Sequence, residues 1–466
     1  MRIQQLSNMR GTPDLAEAGC ASEPSVILDY YRCQQLIPGF SLADGLNGED
    51  GFFCFGPDLV CYGRSTSPVA AAKLNGDLFD AVPHVRCNGN TTSLPFDVNQ
   101  VVDNLRHERY VKTSGWRAWP WVSDIYYHLR PLLPIAVRKH LQRAYLSDWK
   151  SIKFPSWPLD RTIDLLLERL LFLGMKTSGI TRLPFIWFWP HGRKACAIVT
   201  HDVETAVGRD FCGSLMDIDD EFGIKAAFQV VPEERYAVSD EYLQTIRDRG
   251  FEINVHGLNH NGNLFKDRKL FLQKAEKINC YAKQYGALGF RSPSLHRNTD
   301  WFQDLNFSYD MSFPNVSRLE AQRGGCCTVM PYFLPGGITE LPLTTTEDYT
   351  LFHVLKDSST TVWKRQIVAI LEGRGLITIL VHPDYVLTKE AQDVYKELLE
   401  MIGRLKTDRG LWVTLPREVD RWWRERSAMN LVADGSGWRI EGVGHDRARV
   451  AYACLTGDRL VYEIES

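Results

Sequence analysis

His256 and His260 stand four residues apart, a spacing at which a helical turn presents two imidazoles to one metal ion. A nearby carboxylate would complete a set of two histidines and one carboxylate with positions left open for water. The same spacing suits a hydrogen-bonded pair beneath a loop, so the two histidines alone leave both readings open. Carboxylates come from Thr200-His-Asp-Val-Glu204. In an extended segment residues two apart face the same side, so Asp202 and Glu204 can share one mouth, one binding metal and the other taking a proton. Carboxylates just after a strand also serve as helix N-caps or surface ion pairs. Arg291-Ser-Pro293, Tyr309-Asp-Met-Ser312 and Leu380-Val-His382 add an arginine, the carboxylate Asp310 and a third histidine. All of these clusters but the one at Tyr309 follow an apolar run. Strands of a single sheet would gather such clusters at one end.

The elements that must do the gathering alternate along the second half of the chain. Runs 195–200, 226–231, 252–256, 287–291, 309–313, 338–343, 376–382 and 412–415 read as strands. Between them, 240–249, 266–284, 361–372 and 388–406 read as helices, the first three closed by Gly250, Gly286 and Gly373. Such alternation favours a parallel sheet, and seven or eight strands can close into a barrel whose chemistry sits at the C-terminal strand ends. The expected fold class is therefore α/β, a distorted (β/α)7–8 barrel over residues 191–428. Ahead of it lies an N-terminal accessory region, 1–190, with a β-rich start at 51–63 and helical pattern over 123–147 and 159–174. A small β appendage, 429–466, is expected to pack on the barrel.

Composition narrows the function. With 54 basic and 57 acidic side chains the formal net charge is −3, which offers no overall positive field for a nucleic acid. The 11 cysteines lack zinc-type spacing and read as reduced thiols. The first 21 residues carry no apolar stretch of signal-peptide type, and no run is long enough to cross a bilayer as a helix, so a cytoplasmic location is expected. Thirteen Trp residues hint at a carbohydrate ligand. Most nonetheless read as core: Ile186-Trp-Phe-Trp-Pro190 as a plug on the barrel floor, Trp422 and Trp423 as core and edge contacts. The basic stretch 137–150 reads as a solvated helix face. His201 and Asp384 either line the pocket or are structural.

The order and spacing of the four strand-end clusters Thr200-His-Asp-Val-Glu204, His256-Gly-Leu-Asn-His260, Arg291-Ser-Pro-Ser294 and Leu380-Val-His382 resemble the motifs of the polysaccharide deacetylase family, the NodB-homology or carbohydrate esterase family 4 proteins. The resemblance covers about half of the chain. It implies a NodB-like barrel and hydrolysis of an N-acyl group, most simply N-acetyl, on a sugar or glycan precursor with a divalent metal, commonly zinc. It implies Asp202 as general base, Glu204, His256 and His260 as metal ligands, Arg291 as the residue that orients the base, His382 as general acid and Asp310 as that histidine's acidic partner. Val203 stands where the family usually has a second Asp, and Ser294 where it has an aromatic residue. Both changes resemble a divergent branch reading Asp-Val-Asp or Asp-Val-Glu, some of whose members cleave other C–N bonds without metal. The alternatives are accordingly a metal-free amidohydrolase and a non-catalytic glycan-binding protein. The expected partner is a carbohydrate, with no nucleic acid and no membrane span; the oligomeric state is left open.

Overall fold

The computed structural model describes residues 25–33, 39–74, 76–89, 91–111, 146–435 and 437–465. The helical pattern expected over 123–147 and the basic stretch 137–150 lie largely outside them. No helix among the described residues is long and apolar enough to cross a membrane.

The second half of the chain is a mixed α/β half-barrel. Its strands are β1 (Ala195–Val203), β2 (Ala227–Val230), β3 (Glu252–His256), β4 (Gly289–Arg291), β5 (Tyr309–Asp310), β6 (Tyr332–Phe333), β7 (Thr339–Glu340), β8 (Leu376–Leu380) and β9 (Leu411–Val413). They form one curled sheet in the order β6-β7-β5-β4-β3-β2-β1-β8, with β9 also on β1. Every pairing is parallel except β6 with β7. Helices α1 (Ala206–Glu221), α2 (Asp240–Asp248), α3 (Arg268–Tyr285), α4 (Thr361–Glu372), α5 (Lys389–Asp408) and α6 (Pro416–Ala428) connect and flank the strands. Side-chain caps start several of them: Thr205 accepts from the Gly208 N–H, Asp267 from Leu270 and Thr388 from Ala391.

The ladder does not run from β7 to β8. Threonine hydroxyls bridge that gap instead, with Thr344 Oγ1 donating to the Leu376 carbonyl, Thr345 Oγ1 to that of Thr378, and Thr378 Oγ1 to that of Pro342, at 2.6–2.7 Å. The expected alternation is present, but the sheet is curled with one side-chain seam and has an added antiparallel strand, β6.

Period-two alternation on β1 divides its side chains between two cores. Ala195, Ala197, Val199 and Val203 pack with the flanking helices. Cys196 and Ile198 pack on the other face, in a core built largely from residues 27–188 and 419–453. Thr200 and Asp202 continue that second face toward the C-terminal end of the strand. The aromatic run 186–189 lies in this core, and Trp189 Nε1 donates to the Arg374 carbonyl just ahead of β8. Trp422 and Trp423 are buried there as well.

The region before the barrel supplies the hairpin Gly51–Cys54 with Val60–Gly63 and the helix Thr162–Thr177. The C-terminal segment forms two strand pairs, 430–434 with 437–441 and 450–456 with 459–464. Val450–Thr456 also pairs antiparallel with Arg182–Ile186, so the C-terminal pair and the strand just ahead of the barrel form one three-stranded sheet. Alternate apolar residues Ala451 and Ala453, fully buried, suit that shared core.

Candidate functional site

Asp202 is the last inward residue of β1, and Glu204 follows two positions on, just before the Thr205 cap of α1. Arg291, at the end of β4, reaches beneath them. Its Nη1 donates to Asp202 Oδ1 at 2.8 Å and to Thr200 Oγ1 at 2.9 Å, and its Nε to the Met311 carbonyl at 2.9 Å. Burial alone would raise the Asp202 carboxyl; the Arg291 guanidinium, helped by His256 and His382, outweighs it and holds the group below its ordinary range.

His256 ends β3. Its Nδ1 lies 3.1 Å from the Arg291 carbonyl, which fixes the proton on Nδ1 and turns an Nε2 lone pair toward the mouth. Burial presses this imidazole down to about 4 against the opposing pull of Asp202. His260 is brought beside it, ring centroids 5.0 Å apart, by a non-helical loop. Gly257 and His260 both have positive φ, +61° and +49°. A Cβ on Gly257 would stand 2.4 Å from Pro293 Cγ, so only glycine lets this loop approach the Arg291-Ser-Pro293 segment. The two histidines are thus brought together by a loop with positive φ at Gly257 and His260, not by a helical turn.

Ligating atoms of Glu204, His256 and His260 all lie within 4.8 Å of one another. Nε2 of both histidines is buried without a hydrogen-bond partner. Glu204 Oε1 is 2.7 Å from His260 Nε2, yet off the line of a hydrogen bond, and 3.9 Å from His382 Nε2. Orphaned imidazole nitrogens converging with a carboxylate, itself the more exposed of the three groups, fit a divalent ion with open positions. Burial would raise the Glu204 carboxyl, but His260 and the other two histidines depress it strongly.

His382 follows β8. Asp348 holds it twice, its Oδ1 2.6 Å from His382 Nδ1 and its Oδ2 accepting from the His382 N–H at 2.8 Å. Burial favours the neutral imidazole, but Asp348, then Glu204 and Asp202, raise it well above its ordinary value. Asp310, expected as this partner, is elsewhere: on β5 it accepts from the Ser312 N–H and Oγ and stands in register with Glu340 on neighbouring β7. Burial raises its carboxyl. Asp310 is in register with Phe290, which packs with the flanking helices, so it leaves the sheet on the face away from the mouth, whereas Asp348 sits in the segment that crosses to β8. Sequence reasoning missed Asp348; the only signal was a carboxylate pair, Glu347-Asp348, shortly after a β run.

His201 and Asp384 are placed as structural groups. His201 faces the opposite side of β1, between the Val381 carbonyl and Asp219 of α1, at 2.9 and 3.0 Å. Asp384 accepts from the Glu204 N–H and the Thr205 hydroxyl, and Gly208 leaves it room at the start of α1, where a Cβ would meet the carboxylate. Beside His382 stands an aromatic group that sequence reasoning also missed: Tyr385, Tyr349 and His353, with ring centroids 5.1–5.2 Å apart.

No family model and no curated protein matches this chain. Solved structures do. A Mycobacterium smegmatis protein assigned as a polysaccharide deacetylase is 18% identical with a TM-score of 0.41, the match covering 51% of this chain and 93% of that one. The PuuE allantoinase is 12% identical with a TM-score of 0.40, covering 51% and 92%. The peptidoglycan deacetylase PdaC from Bacillus subtilis is 14% identical with a TM-score of 0.33, covering 51% and 95%.

Proposed function

We propose that this protein is a hydrolase of non-peptide C–N bonds that removes an N-acyl group, most simply N-acetyl, from a sugar or glycan precursor. The observation that carries the reading is two charge pairs at one mouth, Arg291 2.8 Å from Asp202 and Asp348 2.6 Å from His382, an arrangement that favours a charged carboxylate beside a charged imidazole. Amide hydrolysis needs both. Asp202 takes a proton from water as its oxygen attacks the acyl carbon, forming the C–O bond. His382 donates its proton to the nitrogen as the C–N bond breaks, so the products are a carboxylic acid and an amine. Arg291 aims Asp202 and favours release of its new proton to water, and the Asp348 carboxylate favours uptake of a proton from water by His382, so both groups are reset for the next turnover. Glu204, His256 and His260 would hold a divalent ion, zinc by the chemistry of two imidazoles and a carboxylate, which when bound supplies Lewis-acid activation of water and carbonyl. Tyr385 and Tyr349 offer ring faces beside His382 on which a sugar ring can stack.

Purified protein assayed for amine release from N-acetylated sugars tests this. Asp202→Asn keeps the shape but removes the base, and a loss of about 10²–10⁴-fold in kcat is expected. Full turnover in that variant would remove Asp202 from the chemistry.

A further inference from the structure

Arg235 stands over the outer nitrogen of His260, its Nη2 3.1 Å from Nδ1 and 3.5 Å from the His260 carbonyl. A guanidinium has only N–H donors and does not deprotonate in proteins. The imidazole nitrogen facing it must therefore be the one with the lone pair, and in the neutral ring the proton sits on Nε2. That is the reverse of His256, whose Nδ1 faces a carbonyl oxygen. Histidines that hold metal through Nε2 ordinarily donate their other N–H to an acceptor. At His260 that acceptor position is occupied by a cation.

The contact is built into the fold. Arg235 lies on the loop after β2, and this loop is tied to both sides of the site. Tyr236 donates its hydroxyl to the Val203 carbonyl at 2.7 Å and accepts from the Val231 N–H at 2.9 Å. The Glu233 N–H bonds the Leu258 carbonyl at 2.9 Å, and Asn259 Nδ2 donates to Glu234 Oε1 at 3.1 Å. Glu234 itself is left-handed, with φ +69°, a conformation disfavoured for a residue with a Cβ. The turn it makes precedes Arg235 directly.

We infer that Arg235 is a positioning residue that fixes His260 as the Nε2–H tautomer and so makes the Glu204–His256–His260 site a weak, exchangeable holder of its ion. This rests on reading those three residues as the ion-holding set. For the ion to bind through His260 Nε2, the proton must leave that nitrogen, and Nδ1 can take one only if the guanidinium draws back. Withdrawal of the Arg235 side chain from His260 Nδ1 is therefore the movement that admits the ion.

Two measurements on the full-length protein test the inference separately from the reading beneath it. In metal-free protein labelled with ¹⁵N-histidine, the His260 side-chain shifts, assigned by comparison with His260→Gln, should report Nε2–H in the wild type. In Arg235→Gln they should move toward Nδ1–H, because the glutamine amide oxygen can accept. Zinc ions alone, titrated against a chromophoric chelator, should bind Arg235→Gln about 10- to 100-fold more tightly than the wild type. Arg235→Lys, which keeps a donor and a charge, should remain within a few-fold of the wild type. A wild-type His260 protonated on Nδ1 overturns the inference. So does tighter zinc binding in Arg235→Gln with the tautomer unmoved, because loss of a nearby positive charge would then explain the gain. If the proton moves as expected while neither protein takes up zinc, the tautomer assignment stands and the ion-holding reading falls.

Discussion

Asp202 and His382 are both buried, and burial works against the charge on each. Each keeps its charge through one dedicated partner, which makes the partner the natural place to probe. Asp348 is the largest influence raising His382, so Asp348→Asn removes the main reason the imidazole stays protonated. Its pKa then falls, and the fraction of His382 able to donate a proton is lost at lower pH. The alkaline limb of the kcat/KM profile should move to lower pH, with a drop at the wild-type optimum of about 10²-fold or more, the lower end of what proton transfer contributes. An unmoved limb would separate Asp348 from the acid. This pairing was not legible in the sequence. Asp202, Glu204, His256, Arg291 and His382 could be found because each closes an apolar run, whereas Asp348 joins His382 across 34 residues and belongs to no recognisable strand end. Arg235 carried no signal either, since its contact depends on the left-handed turn at Glu234.

At the scale of elements, strands were easier to locate than the loops that carry the chemistry. Leu376–Leu380 is a short, nearly continuous apolar run and Glu252–His256 alternates polar residues with Ile253 and Val255, and the sheet buries both strands on both faces. Helix α1 was passed over because Gly208, Gly213 and four Asp residues dilute its apolar face. Three of those aspartates have placements of their own: Asp219 binds His201 and Tyr395, Asp220 pairs with Lys225 and Arg249, and Asp217 also pairs with Arg249. The loop 257–260 brings the histidines together without a helical turn. Two positive-φ residues fold it so tightly that Pro293 packs where a Cβ would be. Gly257→Ala should therefore cost about 1–3 kcal/mol, the usual range for forcing atoms into a filled space, to be read from urea unfolding. Because the strained loop ends at His260, the same variant should lose zinc affinity by more than that loss of global stability explains. A variant with normal affinity and normal stability would show that the loop tolerates a side chain, and that the geometry of the histidine pair does not depend on Gly257.

For the whole molecule, the mouth lies at one end of an inner face whose other end is filled by the pre-barrel and C-terminal segments. The partners in this shared core were not legible residue by residue, because amphipathic pattern shows that a face is buried without showing what buries it. On the opposite, helix-packed face of the sheet lies a second pair of acids, Asp310 and Glu340, in register on adjacent strands β5 and β7 and fully buried, on the side of Phe290 and away from Tyr309, Met311 and Leu341 of the inner core. Burial raises Glu340 well above the ordinary carboxyl range, and Asp310 raises it further. Asp310 is raised as well, so one proton held between the two is the favoured state. A carboxyl whose folded pKa exceeds its unfolded value of about 4.3 stabilises the fold fully below that unfolded value. The contribution is then lost as pH rises through the folded pKa, because the unfolded chain gives up the proton first. Wild-type stability should accordingly fall from mildly acidic toward alkaline pH through this pair. Glu340→Gln keeps a hydrogen-bonding group of the same shape and removes the ionisation, so its unfolding free energy relative to the wild type should improve steadily as pH is raised. Urea unfolding of both proteins at several pH values measures that difference directly. A constant difference across the range would mean that the pair carries no shared proton, and that the helix-packed face of the sheet tolerates two buried carboxylates by some other contact.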